Sequence, residues 1–84
     1  MRKSDVLRLK MNDVILYAYD AHACGEVTMG TVREISPRGG IRARNVRSGR
    51  LEWVPYHHAI RRVRRAGEPV SEDERWLSRG LCLQ

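Results

Sequence analysis

Ile41-Arg42-Ala43-Arg44-Asn45-Val46, followed by Arg47-Ser48-Gly49-Arg50 and then Leu51-Glu52-Trp53-Val54-Pro55, is the stretch that decides the fold. Side chains along an extended strand alternate between its two faces, so Ile41 and Ala43 fall on one side and Arg42 and Arg44 on the other. Arg47 to Arg50 reads as a tight hairpin turn in which Gly49 supplies a positive φ. Leu51 to Val54 pairs back as the next strand, and Pro55, with no amide proton to donate, ends it.

The same pattern extends outward. On the N-terminal side Thr31-Val32-Arg33-Glu34-Ile35 is a strand, stopped by Ser36-Pro37-Arg38-Gly39-Gly40. Asp20 to Gly30 is small and polar and predicts a loop. Val14-Ile15-Leu16-Tyr17-Ala18-Tyr19, rich in β-branched and aromatic residues, is the strongest strand. Asn12-Asp13 before it is turn chemistry. Leu7, Leu9 and Met11 alternate with Arg8 and Lys10, which predicts a short half-buried strand or an extended lead-in. On the C-terminal side, Tyr56 to Ala59 has the length of one helical turn and Ile60 to Val63 makes a last strand.

Beyond Arg65 the composition changes. Residues 66–70 read as a linker. Ser71 with Glu74 three positions later is a capping box, which predicts a helix from Glu72 to about Arg79, ended by Gly80. Trp76 and Leu77 are expected to pack that helix back on the strands, since a helix this short does not hold in water alone. The expected organisation is therefore a barrel over residues 1–65 with its core at about 7–63, a linker at 66–70, and a short helix and tail at 71–84.

Five short strands, a long first loop, a tight hairpin and a single turn before the last strand form an order that resembles the SH3-like small-barrel group, which includes SH3, Tudor and KOW-type domains. Asp13-Val14-Ile15-Leu16-Tyr17-Ala18-Tyr19-Asp20, Gly30-Thr31-Val32, Gly49 to Tyr56 and Ile60 carry the resemblance. It implies a mainly β fold, a five-stranded SH3-like barrel with the C-terminal helix appended. The chain departs from SH3 domains in its single barrel Trp, placed before the Pro, and from Tudor domains in having no Phe.

Composition bounds the function. The chain has 84 residues, enough for one domain and one modest core. No apolar run approaches the roughly 20 residues of a membrane span, and the N-terminus lacks the apolar stretch of a signal peptide, so a cytoplasmic location is expected. Cys24 and Cys82 are read as free thiols. The net charge of +6, with 16 basic residues against 10 acidic ones, points to an anionic partner. Nucleic acid, DNA or RNA, is the leading expectation and an acidic protein surface the alternative. The second would suit an adaptor or regulator, including one of phage or mobile-element origin. Fourteen of the basic residues are Arg, a skew that a GC-rich genome also produces.

Arginine supplies the candidate nucleic-acid contacts: Arg38, Arg42, Arg44, Arg47, Arg50, Arg61, Arg62 and Arg64. Guanidinium forks match phosphate oxygens, and the amides of Gly39 and Gly40 are candidates to add contacts. Tyr17, Tyr19, Trp53 and Tyr56 are the candidate stacking or groove residues. Of these, Trp53 is expected to fill the core, and Tyr19 and Tyr56 to be exposed. His22, Cys24, His57 and His58 lack the spacing of a zinc site, so no metal is expected. There is no phosphate-binding glycine loop, nucleophile motif or carboxylate pair, so neither an enzyme nor a cofactor is expected.

Overall fold

A computed structural model describes residues 1–18, 27–72 and 74–76. A short helix α1 (Lys3–Val6) leads into five strands, β1 (Val14–Ala18), β2 (Val27–Ile35), β3 (Ile41–Asn45), β4 (Leu51–Val54) and β5 (Ala59–Arg64), with a 3-10 turn at Tyr56–His58. All pairings are antiparallel, in the order β4-β3-β2-β1-β5. The class is mainly β. The expected closure is not present: β4 and β5 are the two edges and do not pair, so the five strands form an open sheet rather than a closed barrel.

β1 shows why its sequence is an unbroken apolar run. It lies between β2 and β5, and Val14, Ile15, Leu16 and Tyr17 are all buried. A strand covered on both faces has no polar side to alternate. Ile15 and Tyr17 join Val6, Leu9, Val32, Ile41, Ala43, Val54 and Ala59 in the main core, while Val14 and Leu16 pack with Met29 in a second cluster. β2 serves both halves of the sheet. Val27 to Thr31 pair with β1 and Gly30 to Ile35 with β3, with a register shift between Val32 and Glu34. Such a bulge bends the strand and turns the sheet over its own core. Gly30 sits at that crossing. A Cβ there would lie 2.8 Å from Tyr17 Cε1 and 3.1 Å from Ala43 Cβ, so only glycine lets the Tyr17 ring close on the backbone.

The N-terminal expectation is corrected. Residues 7–11 are not a strand; α1 ends in a turn that buries Val6 and Leu9 and leaves Leu7 and Met11 exposed. Three alternating residues cannot tell a strand from a helical turn, and here the apolar pair three apart prevails. Asn12 takes a positive φ of 73°, and its amide donates to Val32 O at 2.8 Å. Asp13 is buried, and its carboxylate accepts the amides of Lys10 (2.9 Å) and Ala66 (2.8 Å). One side chain thereby ties the entry of β1 to the exit of β5, and the expected linker is anchored at its first residue.

The expected loop at 20–30 is also shortened, because β2 already begins at Val27; residues 19–26, with Tyr19, His22 and Cys24, lie outside the described residues. The hairpin follows the expectation closely. β3 alternates buried and exposed from Ile41 to Asn45, and Gly49 holds a φ of 74°. Asn45 organises the turn, its Oδ1 accepting the amides of Arg47 (2.8 Å) and Ser48 (3.2 Å).

Beyond the turn at 65–68, residues 72 and 74–76 are helical; the expected continuation to Gly80, with Leu77 and Cys82, lies outside the described residues. The Ser71 half of the capping box forms, with the Glu74 amide donating to Oγ at 3.1 Å. The Glu74 carboxylate goes elsewhere, accepting Arg64 Nε at 2.7 Å. Trp76 does not pack on the sheet as expected; it is 65% exposed, and the segment is held by the Arg64–Glu74 pair instead.

Candidate functional site: the outer face of β3 and β4

The β3–β4 register builds the site. Ile41 faces Val54 and Ala43 faces Glu52 on the core side, while Arg42 faces Trp53 and Arg44 faces Leu51 on the outer side. Two arginines two residues apart on a strand are about 7 Å from one another. The Arg42 guanidinium lies over the Trp53 indole, 5.6 Å from the ring centroid, within the range of a cation–π contact. Arg44 donates to Gly49 O at 3.0 Å, which draws it along the hairpin where Arg47 and Arg50 are exposed. Across the sheet Glu34 of β2 is the register partner of Arg42.

Trp53 is 57% exposed, so the expectation that it fills the core is overturned. The core place belongs to Tyr17, which is 1% exposed and therefore unable to stack on a ligand. The Tyr17 hydroxyl donates to Glu52 Oε2 at 2.7 Å, and Glu52 also accepts Asn45 Nδ2 at 3.5 Å. With Tyr17 inside, the outward register of β4 leaves Trp53 on the surface. Tyr56 is 39% exposed, as expected. Beside Trp53 it lines a shallow, mainly apolar groove of ≈ 370 Å³ together with Arg38, Gly40, Pro55 and His57. The Gly39 amide is not available to a ligand, because it donates to Ser36 O at 2.9 Å.

The β5 arginines stand apart from this face. β3 and β5 are separated by β2 and β1, so Arg42 and Arg44 do not share one continuous surface with Arg61, Arg62 and Arg64. Arg64 is spent on structure: Nε reaches Glu74 Oε2 and Nη1 donates to Glu68 O, both at 2.7 Å. Arg62 Nη1 lies 4.0 Å from the Asp13 carboxylate. Arg61 is exposed opposite Leu16 of β1. Arg8, Lys10 and Arg65, outside the expected set, gather beside Arg62 at the other end of the sheet.

No family model, curated protein or solved structure matches the chain. Among the described residues no helix is long and apolar enough to cross a membrane. Nor does any group of three or more His, Cys, Asp or Glu side chains there gather as metal ligands.

Proposed function

We propose that this chain is a small nucleic-acid-binding module that engages a single strand on the outer face of β3 and β4, with low sequence specificity. The observation that carries the reading is the exposed Trp53 with Arg42 over its ring and Arg44 one outward position along. An exposed indole stacks on any base, because every base has a π face, and arginines at strand spacing follow successive phosphates. Arg38 and Tyr56 extend the surface at the groove end, and Arg47 and Arg50 at the hairpin end. The architecture is read as an SH3-like small barrel left open between its edge strands. The strand order and the 3-10 turn before the last strand support that assignment.

Titration of labelled single-stranded DNA and RNA at 50 and 200 mM salt tests the function. Micromolar or tighter binding at low salt that weakens steeply by 200 mM is the expected result. Absence of binding at low salt removes the reading. The apolar character of the groove lined by Trp53, Pro55 and Tyr56 favours one alternative, an adaptor that docks an acidic or extended peptide there. Binding that is insensitive to nuclease and competes with such a peptide selects it.

A further inference from the structure

A second basic site lies where the N-terminal turn meets the end of β5. Arg8, Lys10, Arg62 and Arg65 line a cavity of ≈ 460 Å³ with Asp13 and Ala66, and none of these residues lines the Trp53 groove. The volume falls within the range of small-molecule sites. Asp13 is the one acid in this lining, and its carboxylate is already held by the amides of Lys10 and Ala66. Among the described residues the cation that comes within ion-pair distance of it is Arg62, at 4.0 Å. An adjoining cavity of ≈ 300 Å³ shares Arg8 and Arg62 and adds Met1 and Asp5. There the Met1 ammonium donates to Ala59 O, and Asp5 accepts the Arg2 amide at 3.3 Å. Four cations thus surround a hollow containing one carboxylate that is turned to the backbone. Like charges that line one hollow repel, and a multiply charged anion between them relieves the repulsion.

We propose that this cavity is an oxyanion site that takes a phosphate monoester, either the terminal phosphate of a nucleic-acid strand or that of a small phosphorylated molecule. Guanidinium forks from Arg8, Arg62 and Arg65 grip phosphate oxygens in pairs, and Lys10 adds a point charge. The dianion of a monoester matches the surplus of positive charge better than the single charge of a diester. The site is separate from the β3–β4 face, so it stands whether or not that face binds nucleic acid.

The test uses the full chain and three probes: inorganic phosphate, adenosine monophosphate, and one oligonucleotide with either a 5′-phosphate or a 5′-hydroxyl. Inorganic phosphate is expected to raise the melting temperature more than chloride at equal ionic strength. Arg8→Gln/Arg65→Gln, two exposed positions whose replacement leaves Asp13 and its hydrogen bonds in place, is expected to abolish that difference. Arg42→Gln/Arg44→Gln is expected to retain it. A preference of about tenfold for the 5′-phosphorylated strand, lost in Arg8→Gln/Arg65→Gln, assigns the terminal phosphate as ligand. Binding of adenosine monophosphate without that preference assigns the small molecule. Equal stabilisation by phosphate and chloride overturns the proposal, as does a phosphate effect that survives Arg8→Gln/Arg65→Gln. Circular dichroism of each variant separates lost binding from lost folding.

Discussion

Arg64 and Arg42 are alike in sequence, each a strand arginine among other arginines, yet the structure uses them differently. Arg64 is gripped by the Glu74 carboxylate and the Glu68 carbonyl, and through it the C-terminal segment is fastened to β5. Arg42 lies over an exposed indole, and no carboxylate among the described residues is within ion-pair distance of it. An arginine that already has its carboxylate contributes to stability, whereas one resting on an exposed aromatic ring retains its fork for a ligand. Density of arginine in a sequence therefore does not measure the extent of a binding face.

Substitutions at the anchors act on stability. Asp13→Ala removes the acceptor of two backbone amides at the junction of β1 and the β5 exit. It is expected to cost about 2–4 kcal/mol in urea unfolding, because partly buried donors are left unmet. A loss under 0.5 kcal/mol contradicts the role given to Asp13. Gly30→Ala forces a methyl against the Tyr17 ring and is expected to cost about 1–3 kcal/mol by the same measurement. Arg64→Gln is expected to lose about 1–2 kcal/mol of stability, since Glu74 is then buried without its cation. Its affinity for single-stranded DNA stays within about twofold, allowing for one general charge. Trp53→Ala inverts that pattern. Stability changes by less than about 0.5 kcal/mol, and affinity falls by about 1–3 kcal/mol, the worth of one stacked base.

Most of the sheet was legible because its signals are local. The alternation of Ile41, Arg42, Ala43 and Arg44 separates the two faces of β3, and the β-branched and aromatic run from Val14 marks a strand, whose burial on both faces only the structure shows. Local signals do not suffice where the deciding contact lies far along the chain. Tyr17 and Trp53 were both plausible core residues by size; only the β3–β4 register and the Tyr17–Glu52 bond, 35 positions apart, place one inside and the other outside. Arg64 resembled its neighbours because its carboxylate is ten residues downstream, in a residue whose spacing from Ser71 advertised a helix cap instead. The short alternation at Leu7, Leu9 and Met11 fits more than one backbone, and burial of Val6 and Leu9 decides it. The cavity at Arg8, Lys10, Arg62 and Arg65 had no local signature, since it joins two ends of the domain.

The proposed function places a single nucleic-acid strand on the outer face of β3 and β4. Fluorescence anisotropy with a labelled single-stranded oligonucleotide, titrated from 50 to 200 mM salt, tests it for the unmodified chain beside Arg42→Gln/Arg44→Gln and Arg64→Gln. Each phosphate neutralised on a single strand contributes about 0.7 to the slope of log K against log salt, so Arg42→Gln/Arg44→Gln is expected to flatten the slope by about 1.4. Arg64→Gln is expected to leave it nearly unchanged. A slope that is the same for the unmodified chain and Arg42→Gln/Arg44→Gln, or that flattens most in Arg64→Gln, would contradict the account.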